Sequence, residues 1–188
     1  MNLILLELSK GEQCYSLINK EWKLEPNMKL HKPLSAMGTG NIVIDQKLLI
    51  TGGWDVGFDP SAEEYMYLLG HSSKTILRRM PEALYGHCNI HLNKSHLMVI
   101  GGANTNFDWG RETYYYNLDT NEWTRGKDLT DDRRNLACSL ANINGKLVIF
   151  ATGGENGEPF HGYDPLRSVE FLEVDSPDKG WKKGMVYL

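Results

Sequence analysis

The chain has 188 residues, 41% of them hydrophobic and 23% charged, enough to bury a core as one domain. Its formal net charge is -4, and its longest basic clusters are the pairs Arg78-Arg79, Arg133-Arg134 and Lys182-Lys183. That excludes the basic stripe of a nucleic-acid binder. No apolar run approaches the roughly 20 residues of a membrane span, so no membrane partner is expected.

Met1 to Leu8 is apolar but short, lacks a basic start and is interrupted by Glu7, so it reads as a strand and not as a signal peptide. Tyr15 and Trp22 follow, with six residues between them. Next come three apolar runs, each ending in a double glycine. Lys47–Thr51 leads into Gly52-Gly53, His96–Ile100 into Gly101-Gly102, and Lys146–Thr152 into Gly153-Gly154. Short apolar runs closed by glycine predict buried strands. The double glycines recur at intervals of 49 and 52 residues, which marks an internal repeat.

A second strand and a tight turn precede each run. The turns are Asp45-Gln46, Asn93-Lys94-Ser95 and Asn144-Gly145, the last being the strongest hairpin signal because both residues tolerate positive φ. The preceding strands align at Gly40-Asn41-Ile42, Cys88-Asn89-Ile90 and Cys138-Ser139-Leu140. Cys88 and Cys138 are then expected at equivalent places on neighbouring units, as small buried residues, with a disulfide as the other reading. The three cysteines, Cys14, Cys88 and Cys138, include no C-x-x-C pair, so free thiols in a reducing compartment are expected, with no zinc site. The sequon Asn93-Lys94-Ser95 matters only in a secreted chain.

After each double glycine a polar loop leads to a third strand: Tyr65-Met66-Tyr67, Tyr114-Tyr115-Tyr116, or Val169-Glu170-Phe171. A turn and a tryptophan follow in the later units. Tyr116 and Trp123 repeat the spacing of Tyr15 and Trp22, and Trp181 closes the last unit. Each unit therefore reads as four antiparallel strands in about 50 residues.

The double glycines, with a tyrosine and tryptophan six residues apart, resemble the Kelch repeat family. The resemblance covers nearly the whole chain. It implies an all-β, partial Kelch-type β-propeller of about three and a half to four four-stranded antiparallel blades in a single repeat domain. Residues 1–32 read as a partial blade, and 33–79, 80–128 and 129–188 as full blades. The family pattern is missing a tryptophan near Ile76, and Leu172 or Val174 stands where the last tyrosine belongs. The resemblance places Trp22, Trp123 and Trp181 in the core between blades. A propeller closes with about 4–8 blades, so the missing blades are expected from a longer chain or from a second copy in a homo-dimer.

The resemblance implies a non-enzymatic protein-interaction module, without cofactor or metal, binding a protein or peptide through its loops. The lack of a signal and the few cysteines point to the cytoplasm, with secretion left open by the sequon. Candidate contacts after the double glycines are Trp54, Phe58, Phe107, Trp109, Arg111, His161 and Tyr163, weighed against aromatics that only pin their own loops. Arg133 and Arg134 are further candidates, in the turn entering a blade, where many Kelch adaptors hold acidic peptides; a solvated turn is the plainer reading. One alternative function is substrate recognition in a cullin ubiquitin-ligase adaptor. The other is a fragment of a galactose-oxidase-type enzyme, but His87 and His91 are four apart on an expected strand, roughly 13 Å along the chain, and do not share a metal through that spacing.

Overall fold

A computed structural model describes residues 74–157 and 162–184, the segments 40–44 and 47–55, and the backbone of the earlier strands and of 64–68. The architecture is all-β and antiparallel. The first sheet holds β1 (Leu3–Leu8), β2 (Gly11–Ser16) and β3 (Glu21–Leu24). After the short β4 (Leu34–Ser35), the second sheet holds β5 (Gly40–Ile44), β6 (Lys47–Thr51), β8 (Glu64–Leu68) and β9 (Lys74–Ile76), with β7 (Trp54–Asp55) paired to β4. The third sheet runs β10 (Cys88–Asn93), β11 (His96–Ala103), β12 (Trp109–Asn117), β13 (Glu122–Arg125). The fourth holds β14 (Ala137–Ile143), β15 (Lys146–Thr152), β18 (Val169–Glu173) and β19 (Lys182–Gly184); β16 (Glu155–Asn156) and β17 (Asp164–Pro165) form a small separate pair. Each four-stranded sheet therefore has its strands in sequence order, apart from the small inserted pairs.

The expected hairpins form where turn chemistry allows. Ile143 pairs with Lys146, so Asn144 and Gly145 make the turn, at φ of 51° and 85°. Ile44 pairs with Lys47 across Asp45-Gln46. Tyr15 lies directly across from Trp22, and Tyr116 across from Trp123, which explains the repeated spacing as a cross-strand aromatic pair. Trp123 also donates to the Arg78 carbonyl at 3.1 Å. In the fourth sheet Leu172 lies across from Ile149, as Tyr116 lies across from Leu97, so Leu172 takes the tyrosine's place.

The double glycines are positions of close approach between sheets. Gly53 N–H donates to Leu84 O, and Gly102 N–H to Arg133 O, each at 2.9 Å. The residue after each acceptor bonds its own sheet instead: Tyr85 exchanges two bonds with Ala103, and Arg134 with Glu155. Each connector is thus stitched to the sheet it leaves behind and to the one it enters. A Cβ on Gly101 would come within 2.5 Å of Arg133 O, and its φ of 63° is left-handed, so only glycine fits there.

Side chains alternate into two seams. Ile44, Leu49, Leu84, Leu97, Val99, Tyr114 and Tyr116 pack between the second and third sheets. Ile90, Met98, Ile100, Ile149, Ala151, Leu172 and Trp181 pack between the third and fourth. Met98 and Ile100 are fully buried in the later seam while Leu97 and Val99 are fully buried in the earlier one, so β11 buries both faces.

The cysteines overturn two expectations. Cys88 and Cys138 are joined in a disulfide, not held as free thiols. They are also not equivalent. Cys88 pairs with Ile100, one residue before its double glycine, whereas Cys138 pairs with Ala151, two residues before. A one-residue offset turns a strand side chain to the other face. Cys88 therefore faces the fourth sheet and Cys138 faces the third, and the two meet across the seam. A register shift between His91 and Asn93 hides this offset from residue counting. The true counterpart of Cys88 is Ala137, which pairs with Thr152.

Candidate functional site

The connectors and the ends of the double-glycine strands gather on one end of the sheets. β11 continues to Ala103 and β12 starts at Trp109, with Gly102 paired to Gly110. The expected long loop is thus a tight turn of Asn104–Asp108. Asn104 organises it: its side-chain oxygen accepts from the N–H of Asn106 and of Asp108, and its amide donates to Glu82 at 3.2 Å. Phe107 adopts φ of 64° in this turn.

Aromatic rings join the three sheets along this end. Trp54, from the second sheet's side, meets the Tyr85 ring edge-on at 4.7 Å and the Phe107 ring at 5.8 Å. The Tyr85 hydroxyl oxygen accepts from Arg134 Nη1 at 2.8 Å. The Arg134 guanidinium lies 4.5 Å from the Trp109 ring and 4.8 Å from the Tyr163 ring, and the two rings are nearly parallel. Arg134 Nε donates to Glu155 at 2.9 Å, and Asn135 donates to the same oxygen at 2.9 Å. The two rings stack on each other with centroids 5.8 Å apart, and the planar, weakly hydrated guanidinium sits beside both. Burial pushes the Tyr85 hydroxyl above its ordinary pKa, against the lowering influence of Arg134.

The predicted contact residues divide sharply. Trp109 and Arg134 are buried, and Trp54 and Phe107 are half-buried within the ring cluster, so these aromatics do hold loops together. Tyr163 is 63% exposed and forms the solvent side of the stack. Arg111 is exposed beside Asp128, 3.9 Å away. Phe58 and His161 lie outside the described residues.

Arg133 is not in a solvated turn but completely buried. Its guanidinium donates to Glu170 at 2.8 Å, to Gly153 O at 2.8 Å and to Ser168 Oγ at 2.9 Å. Glu170, also fully buried, accepts from the backbone N–H of Thr130 and Asp131. This is a satisfied ion pair that ties connector to sheet, with Nε of Arg133 left unpartnered.

A second buried polar cluster lies where β5, β6 and the start of β10 converge. Thr51 Oγ1 is 2.7 Å from His87 Nε2 and 2.8 Å from Asn89 Nδ2, which donates to it. With His87 protonated on Nε2, the imidazole also donates to Thr51, whose own proton turns to Gly40 O at 3.3 Å. That leaves only acceptor atoms unpaired, His87 Nδ1 and Asn89 Oδ1. Burial lowers the His87 pKa to about 4. In this tautomer the imidazole donates to the Thr51 oxygen and does not act as its base, and Thr51 is fully buried. Among the described residues no three histidine, cysteine or carboxylate side chains are grouped to hold a metal ion.

Sequence reasoning placed Tyr85 only within a candidate turn, Met80–Tyr85, and missed Glu155 and Glu170. Glu170 carried a signal, a carboxylate between the apolar Val169 and Phe171 in an expected strand. No protein-family model matches the chain. A search of curated proteins likewise finds no match.

Proposed function

We propose that the chain is an arc of a Kelch-type propeller that binds a protein partner with the loop end of its sheets. The observation that carries this reading is the unbroken chain of rings and guanidinium from Trp54 through Tyr85, Phe107, Trp109 and Arg134 to the exposed Tyr163. A rigid aromatic floor with one exposed ring is a recognition surface prepared at low entropic cost. The regular four-stranded sheets, their double-glycine stitches and the Tyr116–Trp123 pair support the propeller reading. Binding of an acidic peptide by Arg133 and Arg134 draws no support from the site, because Glu170 and Glu155 already engage their charges.

The contact residues are then Tyr163 and Arg111, with Trp54, Phe107, Trp109 and Arg134 positioning the surface. Photocrosslinking tests this. A photoreactive residue at position 163 is expected to capture a discrete protein from extracts of the native cells. The adduct is lost when Arg111 is changed to Glu. The same probe at position 144, in the hairpin turn at the other end of β15, is expected to give none. Equal capture from both positions contradicts the reading.

The Cys88–Cys138 bond bears on compartment. Disulfides persist in oxidising surroundings, so this bond favours the secretory route over the cytoplasm expected from the sequence.

A further inference from the structure

The turn end of the third sheet carries a motif that the loop-end reading does not use. Asn93-Lys94-Ser95 is the sequence's only Asn-x-Ser/Thr sequon, and Lys94 leaves it free of the proline that blocks one. It forms the hairpin turn between β10 and β11, where Asn93 pairs with His96. The corresponding turns of the second and fourth sheets, Asp45-Gln46 and Asn144-Gly145, carry no sequon. Asn93 and Lys94 are exposed. The two polar atoms of the Asn93 amide have separate duties. Oδ1 accepts from the N–H of Ser95 and of His96, each at 3.0 Å, and from the Ser95 hydroxyl at 3.2 Å. Nδ2 takes no part in these bonds.

We propose that Asn93 is an N-glycosylation site. The inference rests on the secretory reading of the Cys88–Cys138 bond, which places the chain in the compartment where sequons are used. In the transfer, Nδ2 attacks the anomeric carbon of an oligosaccharide held on a polyprenyl diphosphate. A C–N bond forms and the C–O bond to the diphosphate breaks. The diphosphate leaves with the electron pair, Nδ2 gives up one proton, and nothing is oxidised or reduced. The product replaces one hydrogen of Nδ2 and leaves Oδ1 an acceptor, so the turn keeps its hydrogen bonds with the sugar in place. The turn also stands at the end of β11 opposite Ala103. Eight residues of strand set it roughly 25 Å from the aromatic end. Carbohydrate then covers one end of the sheets and leaves the Trp54–Tyr163 surface open to a partner.

The test uses the full-length protein purified from its native cells. Peptide-N-glycosidase should lower its mass, and peptide mass spectrometry should then read Asn93 as aspartate. Expressed in the same cells, Ser95→Ala should abolish that conversion, and Ser95→Thr, which keeps the sequon and its hydroxyl, should retain it. Alkylation of free thiols in the same samples reads the disulfide separately. Asn93 unmodified in protein whose Cys88 and Cys138 are bridged overturns the site and leaves the secretory reading standing. Asn93 unmodified with both thiols free overturns the two together. Conversion that persists in Ser95→Ala, or that occurs without the glycosidase, is deamidation and also overturns the site.

Discussion

The two seams between successive sheets are built on one frame and filled with different chemistry. Leu84 and Arg133 hold the same place, since each carbonyl accepts from a double glycine of the sheet behind. Tyr114 and Glu170 hold the next, because Val99 and Ala151, their cross-strand partners, stand two residues before a double glycine. The earlier seam therefore buries a leucine beside a tyrosine, where the later one buries an arginine against a glutamate. Tyr114 donates to Glu82 at 3.2 Å, and burial followed by that carboxylate raises its pKa to about 12. In the later seam Asp131 takes the place of Glu82, 3.7 Å from Arg133. At the inner strands the contrast reverses. The earlier seam is polar, through Thr51, His87 and Asn89, while the later has Leu136 and the disulfide. The lesson is that backbone stitching defines the repeat, and each seam is free to meet it with polar or apolar contents provided that buried groups find partners.

The largest break in this comparison should come from halving the ion pair. Glu170→Ala leaves the Arg133 charge buried without its carboxylate, and is expected to cost about 3–5 kcal/mol in urea unfolding. Leu84→Ala in the earlier seam, by contrast, removes only packing, at about 2–5 kcal/mol and with no charge to strand. Glu170→Gln, which keeps shape and loses charge, should fall between wild type and Glu170→Ala.

Next in size is the cross-link. Cys88 and Cys138 are 50 residues apart in sequence. Opening a loop of that length should cost about 4 kcal/mol on the chain-entropy view. Thermal melting with and without reductant reads the loss, and thiol titration of the unreduced protein should find Cys88 and Cys138 unreactive.

A smaller effect separates the seams by pH. Unfolded, His87 takes up a proton near its ordinary pKa of 6.5, but in the fold it resists until about 4. Between those values the unfolded chain holds more protons, so stability falls as pH drops through the window and is unaffected by His87 above it. The loss reaches about 3 kcal/mol at the acid end. His87→Leu, which copies Leu136, should flatten this part of the profile. A profile unchanged by the substitution would remove His87 as its source.

Much of this frame was legible in the sequence. The double glycines marked the ends of β6 and β15, although β11 runs on past its pair to Ala103, Asn144-Gly145 marked a hairpin, and the Tyr116–Trp123 spacing marked a cross-strand pair. Those signals are local, and local backbone chemistry fixes them. The contents of the seams were not legible, because they depend on register. The irregularity between His91 and Asn93 shifts which of two adjacent residues faces the later seam, and so concealed the meeting of Cys88 with Cys138. Arg133 looked like a surface charge because its partner Glu170 is 37 residues away. Of the loop-end candidates, the aromatic types were visible, but not which would be floor and which surface. That division follows from Arg134 packing beside the stacked Trp109 and Tyr163 rings, a contact between sheets.

The most direct test of the shared frame is to write the earlier seam's chemistry into the later one. The double substitution Arg133→Leu with Glu170→Tyr copies Leu84 and Tyr114, with Asp131 placed as Glu82 is to receive the new hydroxyl. Urea unfolding should show this protein within about 1 kcal/mol of wild type or above it, as apolar replacements of buried ion pairs often are. A double variant that loses as much stability as Glu170→Ala would contradict the equivalence of the two seams.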